Sequence, residues 1–166
     1  VTSTPVIDYK SNEWYTPVEL IEMVRSFYGG SIPLDAASCA DAQKIVKADH
    51  CFSIENSAFD NDWFGKVWLN PEYSYPAVKR FCDRAVEQYR NGNCDEVLIL
   101  VNNATDTEWF YALSKYPVLF SRGRIKFWKP CGEYVSPRLG QALFYLGTRY
   151  LPFYKTFEGE QFYRCS

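Results

Sequence analysis

The sequence predicts an α/β protein, a single domain with a mostly parallel sheet flanked by helices. Apolar segments of strand length alternate with amphipathic stretches of helical period along the chain, and such alternation implies parallel strands joined by crossover helices. A length of 166 residues is about one domain, large enough to bury close to 70% of its unfolded surface without metals or disulfides. The composition is 47% hydrophobic and 23% charged, with 13 Tyr, 12 Phe and 5 Trp, far from the apolar-poor composition of disordered chains.

Val1 to Lys10 lacks the basic-then-apolar pattern of a secretory signal, and residues 1–12 are read as an extension ahead of a domain at 13–166. Thr16 caps and Pro17 opens a first helix, Val18 to Tyr28, with Leu20, Met23, Val24 and Phe27 on one face, and Gly29-Gly30 stops it. Ile32 to Leu34 reads as a buried strand ending at Asp35. Cys51 to Ile54 and Val67 to Leu69 are further short strands, the latter ending at Asn70. Tyr75 to Arg90 is a helix closed by Asn91-Gly92-Asn93, Val97 to Val101 the central strand, and Asp106 to Ser114 another helix. Aromatic-rich segments at Val118 to Phe120, Arg124 to Trp128 and Ala142 to Leu146 read as strands that complete the sheet with a basic edge.

Several function classes are excluded or unsupported. The longest uninterrupted aliphatic run, Val97 to Val101, is far short of the roughly 20 residues that cross a bilayer. Cysteines at 39, 51, 82, 94, 131 and 165 form no C-x-x-C pair and His50 is the one histidine, so the usual zinc spacings cannot be built and no metal is expected. Reduced thiols in a cytoplasmic protein fit this usage. The net charge of −2 hides an asymmetry. Residues 1–112 hold 9 Lys/Arg against 17 Asp/Glu, whereas residues 113–166 hold 9 against 3. Lys115, Arg122, Arg124, Lys126 and Lys129 follow one another without an acid. Such a run suits a phosphate backbone, with Arg122, Arg124 and Lys126 as the candidate contacts; an ordinary solvated face fits it equally well.

In open parallel sheets ligands bind beyond the carboxyl ends of the strands. Asp35-Ala36-Ala37-Ser38, Asn70-Pro71-Glu72-Tyr73-Ser74 and Asn102-Asn103-Ala104-Thr105 fall at those ends. Asn70-Pro71-Glu72-Tyr73 carries the most chemistry. An exocyclic amino group on a base is a poor nucleophile because its lone pair is delocalised into the ring. The Asn70 side-chain oxygen and the Pro71 carbonyl would each accept one N–H and turn that lone pair toward an electrophilic methyl group. Tyr73 offers a flat face for a base pulled out of its stack. As a bare pattern, an Asn-Pro turn followed by a core tyrosine is the simpler reading.

Several ordered segments together resemble the small phage-type (Dam-like) DNA N6-adenine methyltransferases, over about Glu13 to Leu146. These are Glu13-Trp14-Tyr15-Thr16-Pro17, Leu34-Asp35-Ala36-Ala37-Ser38, Asp62-Trp63 with Asn70-Pro71-Glu72-Tyr73-Ser74, Thr107-Glu108-Trp109-Phe110, and Arg122-Gly123-Arg124-Ile125-Lys126-Phe127. The resemblance implies a Rossmann-like, S-adenosylmethionine-dependent enzyme that methylates N6 of adenine in double-stranded DNA after flipping the base. It also implies a phage or prophage gene acting in the bacterial cytoplasm.

Asn70, Pro71 and Tyr73 are then the expected catalytic residues. Asp35 with Ala36, and Glu55 about 20 residues later, are the expected contacts to the cofactor's amino and ribose groups, with Asp49 a rival for Glu55. Thr16 and Pro17, ahead of a helix N-terminus, would meet the cofactor carboxylate. Two departures stand out: Glu72 replaces the family's second proline, and no glycine occurs between Gly30 and Gly65. Pro130-Cys131 is the one Pro-Cys step, but it lacks the surroundings of a cytosine C5 methyltransferase and reads as a turn. A zinc deaminase lacks its H-x-E, and a dinucleotide dehydrogenase its G-x-G-x-x-G. The remaining alternative is a weak or inactive relative that binds DNA, cofactor or a protein partner.

Overall fold

In the computed structural model, which describes residues 14–129 and 132–165, the sheet grows outward from one strand with no exposed face. That strand is β4 (Glu96–Asn102), and Val97 to Val101 are fully buried. It is preceded by α1 (Val18–Phe27), β1 (Leu34–Asp35), α2 (Ala40–Val46), β2 (His50–Cys51), β3 (Lys66–Leu69) and α3 (Ala77–Arg90). It is followed by α4 (Glu108–Leu113), β5 (Val118–Ser121), β6 (Phe127–Trp128), β7 (Tyr134–Val135), β8 (Gln141–Leu146), α5 (Tyr150–Phe157) and β9 (Phe162–Tyr163).

The main sheet has the order β2-β1-β3-β4-β8-β5-β9. β2, β1, β3 and β4 pair in parallel. β8 is antiparallel to both β4 and β5, so β5 runs with the parallel set, and β9 is antiparallel to β5. The result is a mixed α/β sheet with a parallel core, of the predicted class.

Both faces of the sheet are buried, and residue parity assigns the faces. Val97, Ile99 and Val101, with Val67, Leu69, Phe144 and Leu146, pack against Val78, Cys82 and Ala85 of α3 and Trp109, Phe110 and Leu113 of α4. Leu98, Leu100, Trp68, Leu143 and Tyr145 pack on the other side against Leu20, Ile21, Val24 and Phe27 of α1 and Phe153 and Phe157 of α5. Near-continuous apolar runs are what two covered faces require.

Several expectations are corrected. Thr16 does not cap α1: Pro17 occupies the N-cap position with extended backbone (ψ 149°) and no side-chain cap. The buried face of α1 includes Ile21, while Met23 is only half-buried. The helix does end before Gly29 and Gly30, whose φ values of 89° and 120° suit glycine. The second strand covers His50–Cys51, not Cys51 to Ile54, because Ile54 is 95% exposed in the following turn. α2 has no counterpart among the predicted elements; its N-cap is Cys39, whose sulfur accepts from the Ala42 N–H.

Arg124 to Trp128 does not join the main sheet. β5 already has β8 on one edge and β9 on the other, so Phe127 and Trp128 pair with Val135 and Tyr134 in a separate ribbon. Trp128 also bridges to Tyr15. Residues 1–12 and the Pro130-Cys131 step lie outside the described residues. Among the described residues, no helix is long and apolar enough to cross a membrane.

Candidate active site

The ends of β1, β3 and β4 open on one cleft of about 1100 Å³, with Asp35, Asn70 and Asn102 on its wall. Single-ligand pockets run to about 1,000 Å³, so this cleft has room for a nucleoside-sized molecule and a neighbouring base.

At the β3 end, Asn70 is held from three sides. Its side-chain nitrogen donates to the Trp14 carbonyl at 3.1 Å and to the Thr16 hydroxyl oxygen at 3.1 Å. Its carbonyl oxygen accepts from the Tyr73 hydroxyl at 2.8 Å. The main-chain carbonyl of Trp14 can only accept, so it fixes which way the amide points. Pro71 is buried beside it. The Tyr73 ring meets Phe127 edge-on, with centroids 6.1 Å apart, and burial raises its hydroxyl pKa well above the ordinary tyrosine value. Glu72 is exposed on the cleft wall and accepts a hydrogen bond from the Ser74 hydroxyl.

At the β1 end, Asp35 is 2% exposed. Its carboxylate accepts from the Ala37 N–H at 3.3 Å and from the Gln43 side-chain nitrogen at 2.8 Å. Gln43 also donates to the Ser38 hydroxyl at 2.7 Å and accepts from the Ala48 N–H at 2.9 Å. Backbone bonds from Ala36 N–H to Trp68 O and from Ser38 N–H to Phe52 O pin the turn between β3 and β2. Loss of solvent pushes the Asp35 carboxyl from an ordinary 3.8 to about 7, against the pull of its hydrogen bonds. Among the described residues no cation forms an ion pair with it. A buried carboxylate held by neutral donors in an open cleft fits a ligand that brings a positive group.

The other sequence-predicted residues distribute unevenly. Thr16 and Ala36 are buried on the cleft wall. Pro17 starts α1 just behind it and does not line the cleft. Glu55 is exposed, accepts from Ser53 at 2.7 Å with its pKa lowered by that bond, and does not line the cleft. Asp49 is exposed ahead of β2 and likewise off the wall. Ser53 and Ile54 hold the wall positions there. Arg122, Arg124 and Lys126 are exposed outside the cleft.

Sequence reasoning missed Gln43, Arg80 and Arg138. Arg80 lies over the Phe59 ring at 4.5 Å, and both line the cleft. Arg138 stands on the rim next to Leu139, which is 46% exposed. No local pattern marks Gln43. Arg138 is a lone cation outside the basic run.

The sequence profile of the family described as DNA N-6-adenine-methyltransferase (Dam) matches residues 3–142. A protein of Escherichia phage T1 described as a DNA N-6-adenine-methyltransferase is 35% identical over 112 residues, which cover 66% of this chain and 42% of the relative. The match thus spans less than half the length of that relative. No solved structure matches the chain.

Proposed function

The chain belongs to the DNA N-6-adenine-methyltransferase (Dam) family, and from that premise we propose that it methylates the N6 amino group of adenine in double-stranded DNA. The observation that carries this reading is that an oriented amide carbonyl, Asn70, and a buried carboxylate, Asp35, with no ion-pair partner among the described residues, face one cleft from adjacent parallel strand ends. Residues 13–166 are taken as the working domain.

S-adenosylmethionine, when bound, supplies an electrophilic methyl group. Asp35 suits its ammonium, and the Ala36 turn lets it approach. Ser53 and Ile54, and not Glu55, line the cleft at that place, so they would be the residues to hold its ribose. Asn70 and Pro71 accept the two amino hydrogens of the target base and raise the density on its nitrogen. The Tyr73 hydroxyl occupies one of the two acceptor sites of the Asn70 oxygen, and its ring is the face offered to that base. Arg138 and Leu139 stand at the mouth where the flipped base leaves the duplex, a cation for phosphate beside an apolar side chain for the gap.

A second reading is a weak or inactive family member that binds DNA or cofactor without turnover. Exposed Glu72 at the cleft and the Tyr73 hydroxyl on the Asn70 acceptor favour it. One experiment separates the two: incubation with tritiated S-adenosylmethionine and unmethylated DNA, followed by nucleoside chromatography. Label in N6-methyladenine, reduced about 100-fold to 1,000-fold by Asn70→Ala with cofactor binding intact, is the expected result. Label in another base, or a rate untouched by Asn70→Ala, overturns the adenine assignment. No label at all favours the second reading.

A further inference from the structure

We propose that the Trp14 carbonyl and the Thr16 hydroxyl form a clamp that sets the orientation of the Asn70 amide. Thr16 is thereby a positioning residue for the methyl acceptor rather than primarily a ligand of the cofactor. The proposal rests on Asn70 being the acceptor-binding residue.

An asparagine amide is nearly symmetric in shape, and its two orientations differ by exchanging a donor for an acceptor. Catalysis needs one of them, with the oxygen toward the incoming amino group; the reversed amide would aim N–H at N–H. Turning over the Asn70 amide would bring its oxygen against the Trp14 carbonyl, acceptor facing acceptor, where a 3.1 Å hydrogen bond now stands. Thr16 adds a second anchor at 3.1 Å on the same nitrogen. It is 3% exposed, so water does not readily replace that contact.

The segment carrying both groups is itself fixed. Tyr15 N–H donates to Trp128 O at 3.0 Å, Trp128 N–H donates to Tyr15 O at 3.1 Å, and the two rings pack with centroids 4.6 Å apart. The chain enters α1 immediately afterwards. Groups 54 and 56 residues away in sequence, themselves on the cleft wall, therefore hold the Asn70 amide nitrogen, leaving its oxygen free of them, where Tyr73 now meets it. Thr16 accepts from Asn70, so its hydroxyl did not have to cap a helix to be retained in a buried position.

The test compares Thr16→Val, which keeps the shape and removes the acceptor, with Thr16→Ser, which keeps the acceptor. Three quantities are measured: turnover on unmethylated DNA, cofactor Kd by calorimetry, and the side-chain amide signals of Asn70 in ¹⁵N NMR, assigned by their loss in Asn70→Asp. The clamp requires Thr16→Val to lower kcat by about 10-fold to 100-fold, as a misplaced catalytic group does. Cofactor Kd should stay within about twofold, and the Asn70 amide signals should move toward free-asparagine positions and exchange faster. Thr16→Ser should restore all three.

A Thr16→Val variant that loses cofactor affinity while keeping kcat makes Thr16 a cofactor ligand and overturns the proposal, as do unchanged Asn70 signals. A wild-type protein without methyl transfer, but with Asn70 signals that depend on Thr16 in this way, keeps the clamp and removes the proposed activity.

Discussion

Tyr73 and Asp35 each make an interaction that the proposed ligands would alter. On the proposed reading the Tyr73 hydroxyl competes with the base amino group at the Asn70 oxygen, and displacing it costs about 1 kcal/mol net. Tyr73→Phe keeps the ring and removes the competitor. The expected outcome is a several-fold lower KM for DNA with kcat held or raised; a higher KM in steady-state kinetics would show that the hydroxyl itself contacts substrate. Asp35 makes a pH-dependent counterpart. Its folded-state pKa, about 7, lies above its ordinary 3.8, so the folded protein holds this proton more tightly than the unfolded chain. Its contribution therefore destabilises the ligand-free protein as pH rises from about 4 to 7, by about 1.4 kcal/mol per unit, and the penalty is full above 7. Pairing with a ligand's cation favours the ionised form, so cofactor affinity should weaken below pH 7 by up to about tenfold per unit, with proton release on binding. Calorimetry in buffers of different ionisation enthalpy reads both effects. Asp35→Asn should abolish the pH dependence and raise stability above pH 7.

Elements that end in special residues were legible in the sequence, and elements defined by their neighbours were not. Asp35 and Asn70 close β1 and β3 as the apolar runs before them indicated, and α3 is closed by Asn91 and Gly92 as read. β2 is two exposed residues on an edge, so no apolar pattern marks it; its place comes from pairing with β1. α2 is a seven-residue helix capped by a sulfur, a weak N-terminal signal. The site followed the same rule. Asn70, Pro71 and Tyr73 announced themselves as a motif, whereas Gln43 acts through three contacts within eight residues of itself that depend on the unpredicted helix α2. The basic segment shows the same limit. Arg122 and Arg124 lie off the cleft and Arg138 on its rim, yet fully buried Gln141 ties the two stretches together, accepting from Ile125 N–H at 3.3 Å and donating to Leu139 O at 3.1 Å. One basic edge is therefore expected to meet DNA. Arg138→Ala should reduce the salt dependence of DNA binding by about one unit of slope, and Arg122→Ala with Arg124→Ala by about two. Anisotropy titrations across salt concentrations check this. A slope unchanged in the double variant but reduced by Arg138→Ala would confine the contact to the cleft rim.

Across the whole molecule, chemistry and stability sit at opposite ends of the same strands. The cleft lies beyond the carboxyl ends of β1, β3 and β4, while the first residue of β4, Glu96, anchors the far end. Glu96 is 8% exposed and accepts from Arg149 Nε at 2.9 Å, from Arg149 Nη2 at 2.8 Å and from the Tyr145 hydroxyl at 2.7 Å. The Arg149 guanidinium also lies 4.3 Å from the centre of the Phe27 ring and donates to the Phe27 carbonyl at 3.2 Å. One residue thus ties α1, β4 and the start of α5 together. Removing one partner of a buried pair costs more than the pair contributes, because the other charge is stranded. Arg149→Met leaves Glu96 with Tyr145 and with Lys66 at 4.0 Å, and the arginine itself is 36% exposed, so the loss should fall below the range for fully buried pairs, at about 1–3 kcal/mol. The deficit of Arg149→Met should appear as a lower midpoint in urea unfolding, while cofactor Kd at low temperature stays at the wild-type value. A cofactor Kd that moves with the stability loss would mean that the two ends of the sheet are coupled, and that Arg149 belongs to the site as well as to the scaffold.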